Sequence, residues 1–487
     1  MPADLLLGVD LGTTALKAGL FDLEGQLVAL AERPYATDRP LPNWAEQDPQ
    51  HWLAALAEAF DQLEGGAAGC RVAALGVCGQ VNTHVFIDEA GSLLRPAVLW
   101  QDQRCAAIAN EFGLDASSLI CRAEWLRRHE PELWERTAFV LSPKDFLLAR
   151  LCALQSAVTD PTSSIGLVDL AGGYDKAVLA RVPGLAERLP RIERIDAPIG
   201  AAGRPAHPLV EDALIVVGSM DAWGNLYGSG AVEHGDAIEV AGTSEILGVL
   251  SRESHPVPGV VTFPPLDGLQ FHAGPTQAGG AAIVWLGELL GSPIEKVLDA
   301  AAQAPPGSNG LLFLPYLLGE RAPLWDSDAR AAFIGLSSDH GFAHLCRSVL
   351  EGVAYSARHL LEEIEKASLV QPEVLNSSGG GSRSDLWCQI KADVLERRVA
   401  RLRVRQSGCL GAALMAASGA GLVSNLREAA THMVIVDEIF EPQDGRANYG
   451  DLYALYRGLY FDLQPTHAAL AEHRGGSVAT REVPCAN

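Results

Sequence analysis

Leu5-Leu-Leu-Gly-Val-Asp10-Leu-Gly-Thr-Thr14 is a short apolar run that ends in an acid and a tight, glycine-containing turn. An apolar run of this length, stopped by turn residues, reads as a buried β-strand. Leu16 to Phe21 resumes as a second strand, and Asp22-Leu-Glu-Gly25 is turn chemistry before Gln26 to Ala29. The opening is therefore a β-meander with a polar first turn. Near the middle of the chain, Ala237-Ile-Glu-Val-Ala241 repeats the apolar run and Gly242-Thr243-Ser244 repeats the turn, before Ile246 to Leu250 returns. Two such openings in one chain read as a duplicated domain. The boundary is expected at 243/244, giving halves 1–243 and 244–487.

Working outward, Asp48-Pro49 predicts a capped helix start, with Trp52, Leu53, Leu56, Phe60 and Leu63 on one face. Val72 to Cys78 is another buried strand, leading into Gly79-Gln80-Val81-Asn82. Trp125 to Leu151 reads as two helices separated near Ser142-Pro143. Leu214 to Val217 is a strand stopped by Gly218-Ser-Met-Asp221, and Asp221 opens a helix of small residues. Val349, Leu350, Val353, Ala357, Leu360, Leu361 and Ile364 mark an amphipathic helix. Leu375 to Ser378 is a strand that runs into Gly379-Gly380-Gly381, and Ser407 starts a further small-residue helix. The tail after about His473 is polar and is expected to fray.

The 487 residues carry 60 acids against 37 bases, a formal charge of −23, and 48% are hydrophobic. This composition supports a sizeable core and excludes a disordered or fibrous chain. It argues against nucleic acid or an anionic membrane as partner, since both need clustered Lys and Arg. Nine cysteines, Cys485 the last, are scattered without a C-x-x-C pair, which fits reduced thiols in a cytoplasmic protein. The N-terminus lacks a basic signal region, and no apolar run approaches the roughly 20 residues that cross a bilayer.

Three glycine turns follow strands: Gly12-Thr13-Thr14, Gly242-Thr243-Ser244 and Gly379-Gly380-Gly381. Glycine lets backbone approach an oxyanion, and successive N–H groups form a phosphate nest. Together they point to a nucleotide phosphate site, although each alone is also an ordinary turn. None is a P-loop or a dinucleotide fingerprint. Asp10, at a strand end beside such a turn, can hold Mg²⁺ directly or through water, or simply cap the turn. Asp221, at a strand-to-helix junction among small residues, is either a helix cap or a general base for a substrate hydroxyl. His84 is taken as structural.

Longer stretches then fall into a known order. Gly8 to Thr14, Asn43-Trp-Ala-Glu-Gln-Asp-Pro49, Leu94-Arg-Pro-Ala-Val-Leu-Trp-Gln-Asp-Gln-Arg104, Ser219-Met-Asp221, Phe313-Leu-Pro-Tyr-Leu-Leu-Gly-Glu-Arg-Ala-Pro323, Ala331 to Leu336 and His344 to Glu351 resemble, in sequence order, the motifs of the FGGY carbohydrate kinases. The resemblance implies an α/β fold of two ribonuclease-H-like, actin-like ATPase domains with an interdomain cleft. The N-terminal domain would bind the sugar and the C-terminal domain the nucleotide. ATP and Mg²⁺ would be the cofactors, and a homodimer is admitted. Residue by residue, it implies Asp221 as base and Asp10 at the metal. Gly12, Thr13, Thr14, Gly242 and Thr243 would meet the transferred phosphate, and Gly380 and Gly381 the nucleotide. Gln80, Val81, Asn82, Trp100 and Asp221 would line the sugar pocket. Closure by a hinge near residues 240–255 is also expected.

The branch resembled most is xylulose kinase, but that branch typically carries Met-His after the Gly-Gln pair, where this chain has Val81-Asn82. The implied reaction is phosphorylation of a ketopentose such as D-xylulose. The departure leaves ribulose, erythritol or a glycerol-like polyol as alternatives, with D-xylulose then a mediocre substrate. Hsp70-type chaperones open with a similar turn, so an ATP-driven binding switch is a reading from another class. The Phe313–Pro323 match and Asp221 weigh against it.

Overall fold

A computed structural model describes residues 4–67, 69–152, 157–169, 171–203, 207–443 and 449–478. Cys485 and the end of the polar tail lie outside the described residues. The eight described cysteines are all free thiols. The tail segment expected to fray after His473 continues as helix to Val478. Among the described residues, no helix is long and apolar enough to cross a membrane.

The chain forms two compact units. The first comprises residues up to Val232, Phe263–Gly268 and Gln406–Ile435; the second comprises Glu233–Thr262, Leu269–Arg405 and the chain from Val436. This differs from the boundary at 243/244. Ala237–Ala241 pairs in antiparallel register with Glu245–Ser251 and in parallel with Val374–Ser378, so it belongs to the second sheet. The hinge expected near 240–255 overlaps that same hydrogen-bonded hairpin, which ends at Ser251.

In the first unit the sheet runs Pro198–Ala201, Leu214–Val216, Arg71–Gly79, Asp4–Leu11, Ala15–Phe21, Leu27–Pro34. The last three form the antiparallel meander read from the sequence, and the strands Asp4–Leu11, Arg71–Gly79 and Leu214–Val216 are parallel. In the second unit, Gln270–Thr276, Glu245–Ser251 and Ala237–Ala241 form the meander. Val374–Ser378 and Arg398–Leu402 continue in parallel, and Val436–Phe440 closes the edge antiparallel. The two sheets thus share one pairing plan: a three-stranded meander, two added parallel strands and an antiparallel edge. The duplication suspected from two short turns is a duplication of the whole sheet.

Strand Asp4–Leu11 is apolar because helices cover it. Trp52, Leu56, Phe60 and Leu63 of helix Pro49–Glu64 join Leu5, Leu7, Val9 and Leu11 in one core cluster, and Asp48 caps the helix by accepting from the Gln50 N–H at 2.9 Å. Helix Ser407–Gly419, from the last fifth of the chain, covers the other side at backbone distance. A Cβ on Gly8 or Gly76 would overlap the Cys409 or Ala412 carbonyl, and one on Gly411 the Gly224 carbonyl. Only glycine permits such an approach.

In the second unit, Val349, Leu350, Val353 and Ala354 of helix Phe342–Ser368 pack with Phe313 and Tyr316, as the amphipathic pattern predicts. Trp125 to Leu151 departs from the two-helix reading. It contains the end of Leu119–His129, then Pro131–Arg136, strand Phe139–Leu141 and helix Pro143–Leu151. Phe139–Leu141 pairs with Val85–Ile87, a long-range partner that local periodicity does not register.

Candidate functional site

Three strand ends line up in the first unit. Asp10 is opposite Cys78, and Cys78 is opposite Ser219 of the short strand Ser219–Met220. Asp221 follows at the first position of helix Asp221–Gly228. Both carboxylates keep some solvent exposure but sit in protein on most sides. Burial raises the Asp10 carboxyl, against the lowering effect of Lys17 and of a weak thiol contact from Cys78 at 3.7 Å. Burial, and after it the negative charge of Asp10, push Asp221 up to about 7, while the Ala222 N–H, donating to Oδ1 at 2.8 Å, pulls the other way. Two carboxylates whose titrations are pushed upward, at strand ends on either side of Arg71–Gly79, form a place suited to a cation and a proton acceptor.

The first turn is held from beneath. Gly12 N–H donates to the Ala15 carbonyl at 3.1 Å, and the Tyr35 hydroxyl donates to the Gly12 carbonyl. Thr13 is half-buried and Thr14 exposed, so the Thr14 hydroxyl reaches solvent. Thr13 Oγ1 donates to Gln80 Oε1 at 3.3 Å and accepts from Trp100 Nε1 at 3.0 Å. Gln47, which the sequence reading left without a role, donates from Nε2 to the Thr13 carbonyl at 2.7 Å. Thr13, Gln80 and Trp100 are therefore one hydrogen-bonded group.

Val81 and Asn82 follow Gln80 in a turn. Asn82 has φ of 53°, a left-handed value that Asn tolerates better than most residues, and its Nδ2 donates to Ser117 Oγ at 3.2 Å. The Trp100 segment is fixed by Arg122, a buried guanidinium that donates to the Val98 and Leu99 carbonyls. Burial lowers Arg122 to about 10. The Asn43–Pro49 and Leu94–Arg104 stretches also meet. Glu46–Gln47 pairs with Ala97–Val98, and Arg104 bridges Asp102 and Glu46 at 2.7 Å beneath the Trp44 ring at 3.6 Å. His84 is buried with its pKa held well below the ordinary range by burial, consistent with a structural histidine.

In the second unit, Gly242 N–H donates to the Ser244 carbonyl at 2.9 Å, Thr243 is exposed, and the start of helix Gly280–Leu289 abuts the turn through Gly280 N–H to the Gly242 carbonyl at 2.9 Å. Gly379 has φ of 85° and lies against Ala241, so the third turn touches the strand that carries the second. Gly380 is exposed with open space where a Cβ would be, whereas Gly381 packs on the Trp387 ring. Below both turns lies a buried ion cluster that the sequence reading missed. Lys391 pairs with Glu239 and Glu245, and Ser377 donates to Glu239 at 2.5 Å. One signal was available: Glu239 is the only charge in the Ala237–Ala241 run.

Gly12, Thr13, Thr14, Gln80, Val81, Asn82, Trp100, Asp10 and Asp221 thus belong to the first unit, and Gly242, Thr243, Gly380 and Gly381 to the second. Comparison with known proteins gives the class. Residues 5–221 match the N-terminal domain of the FGGY family of carbohydrate kinases, and residues 237–420 match its C-terminal domain. The Escherichia coli xylulose kinase is 30% identical over 86% of this chain and 90% of its own, and a Citrifermentans bemidjiense glycerol kinase 31% over 92% and 97%. A solved ligand-bound xylulose kinase from Lactobacillus acidophilus has a TM-score of 0.86 at 25% identity, over 96% of this chain and 100% of that one. A gluconate kinase structure from the same organism has equal values. The chain belongs to the FGGY family of carbohydrate kinases, and it is a phosphotransferase with the two-domain α/β fold of actin-like ATPases.

Proposed function

We propose that the chain transfers the γ-phosphoryl group of ATP to a hydroxyl of a sugar or polyol, with a ketopentose such as D-xylulose as the leading acceptor and Asp221 as general base. The observation that carries this is the placement of Asp10 and Asp221 at strand ends on either side of Arg71–Gly79, with the charge of Asp10 felt at Asp221 and Asp221 raised to about 7. A base is most effective when its pKa lies near the working pH.

In the step itself, the acceptor oxygen attacks the γ-phosphorus in line, the bond to the β–γ bridging oxygen breaks, and ADP leaves. The hydroxyl proton passes to an Asp221 carboxylate oxygen. Asp10 would hold Mg²⁺, directly or through its waters. Among the described residues no cluster of three or more ligating side chains exists, and Mg²⁺ characteristically keeps several waters with one or two carboxylates and substrate phosphates. When bound, the ion neutralises phosphate charge. Gly12, Thr13 and Thr14 donate to the transferred phosphate from the first unit. Gly242 and Thr243 are the corresponding turn of the second, where Gly380 and Gly381 take the nucleotide. Gln80, Val81, Asn82 and Trp100 wall the acceptor. The enzyme works in the cytoplasm without nucleic acid or membrane, and a homodimer is its admitted assembly.

A second reading concerns the acceptor alone, and Asn82 favours it. One of its two amide N–H groups is engaged by Ser117, which leaves the carbonyl and the second N–H as the groups it can present. An imidazole there would present a different shape and donor set. Ribulose, erythritol or a glycerol-like polyol would then be preferred. A site that loses a matched polar contact can lose about 10²-fold or more in kcat/KM. Steady-state ADP release across a panel of ketoses and polyols tests both readings. A sugar-stimulated rate is expected. A clear preference for D-xylulose contradicts the second reading, and no stimulation by any acceptor contradicts the proposal.

A further inference from the structure

Lys144 stands in the first turn of helix Pro143–Leu151 with only 1% of its side chain exposed. Such a burial is tolerated only where the ammonium is fully paired. Its Nζ donates to Asp145 Oδ1 at 2.6 Å and to the Val217 carbonyl at 3.2 Å, and it forms an ion pair with Asp160 Oδ2 at 2.9 Å. The other oxygen of Asp160 accepts the Thr162 N–H at 2.8 Å and the Thr162 hydroxyl. Thr162 Oγ1 in turn accepts the Met220 N–H at 3.1 Å.

These bonds converge on one segment. Val217 and Met220 bracket Gly218-Ser219, and Asp221 follows directly. One ammonium therefore fixes both ends of the tetrapeptide that delivers Asp221: the Val217 carbonyl directly, and the Met220 N–H through Asp160 and Thr162. The segment needs the restraint because Gly218 has φ of 72°, and a Cβ there would overlap the Val77 carbonyl. With two carboxylates against one ammonium, the cluster has no surplus positive charge to stabilise the Asp221 anion. Its action on Asp221 is through geometry.

We infer that Lys144, Asp160 and Thr162 are positioning residues for Asp221, acting through the Val217–Met220 segment. This rests on Asp221 being the general base. Their bonds end on the Val217 carbonyl and the Met220 N–H, so their effect on the chemistry falls on where the carboxylate points. A displacement of about 1 Å at a reacting group can cost roughly 10²-fold.

Removal of Lys144 would leave two buried carboxylates unpaired and risks unfolding, so Thr162 is the point of test. Thr162→Val keeps the shape and deletes the acceptor for Met220, while Thr162→Ser keeps the acceptor. Thr159→Val is the control. Thr159 is equally buried and bonds to Asp145 at 2.8 Å, in the same ion cluster but off the path to Met220. ADP release is measured with the panel's best acceptor. Thr162→Val is expected to lower kcat about 10–100-fold with the acceptor KM within twofold. Thr162→Ser and Thr159→Val should stay near wild type. In an Asp221→Asn background, Thr162→Val should add no further loss, because a positioned base that is absent has nothing left to lose. Wild-type kcat in Thr162→Val, an equal loss in both backgrounds, or an equal loss in Thr159→Val overturns the inference while leaving Asp221 as base. Near-normal turnover in Asp221→Asn alone overturns the base assignment, and this inference with it.

Discussion

Asp221→Asn should lower kcat by about 10²–10⁴-fold while the acceptor KM changes little. Asparagine keeps the size of the side chain and one acceptor oxygen but cannot take the proton. The wild-type pH profile should carry the same signature. Because Asp221 is raised to about 7, kcat/KM should fall as pH drops below about 7 and the base becomes protonated. Stability runs the opposite way. A carboxyl whose folded pKa lies above its unfolded value favours the folded state at low pH, and that contribution is lost as pH rises through about 7. At pH 8 the wild-type protein therefore bears the strain of a buried anion that Asp221→Asn removes. The melting temperature of the variant at pH 8 should not fall below wild type, which separates lost chemistry from lost folding. Asp10→Asn should differ by raising the Mg²⁺ concentration needed for half-maximal rate.

Lys391→Met should destabilise the second unit by about 3–5 kcal/mol, since it strips the counter-charge from Glu239 and Glu245 and leaves them buried. In the wild-type protein burial raises Glu245, and the negative charge of Glu239 adds to this against the pull of Lys391. Without the ammonium, both carboxyls titrate above their unfolded values. The deficit should therefore be larger at pH 8 than at pH 5, because protonation relieves it. Thermal unfolding at the two pH values measures this, with a drop on the order of 10 °C at pH 8. Adding Glu239→Gln should restore part of the loss. Equal melting of wild type and Lys391→Met at pH 8 would show that the cluster is not stabilising. Glu239 and Glu245 flank the Gly242–Ser244 turn, and Ser377 precedes Gly379, so a loosened cluster should also raise the ATP KM.

Asp10 and Asp221 were legible because each is an acid that stops an apolar run, and such a residue must be accounted for. The meanders were legible for the same local reason: short apolar runs separated by turn chemistry. Lys144 was not. It follows Ser142-Pro143, where the sequence signals a helix start, and its burial depends on Asp160 and the Val217 carbonyl, 16 and 73 positions along the chain. Lys391 likewise owes its place to Glu239 and Glu245, more than a hundred residues earlier. The domain division escaped for a similar reason. Helix Ser407–Gly419 packs on strands Asp4–Leu11 and Arg71–Gly79 at Gly8 and Gly76, and on helix Asp221–Gly228 through Gly411, and a glycine in a sequence does not say which backbone it lies against. The hydrogen-bonded group of Gln47, Gln80, Thr13 and Trp100 was half visible: three members were singled out separately, but not as bonded to one another.

The acceptor is the least legible element. Relatives described as xylulose kinase and glycerol kinase match this chain at similar identity, and structures described as gluconate kinase and xylulose kinase match it with equal TM-scores. One fold thus carries several acceptor specificities, which lie in the site rather than in the fold.

Phosphorus NMR of the purified protein with MgATP and the acceptor that most stimulates ADP release tests phosphoryl transfer most directly. A new sugar or polyol phosphomonoester resonance should grow one-for-one with ADP and be suppressed in Asp221→Asn. Formation of ADP with inorganic phosphate alone, and no phosphomonoester for any acceptor in the panel, would contradict that transfer.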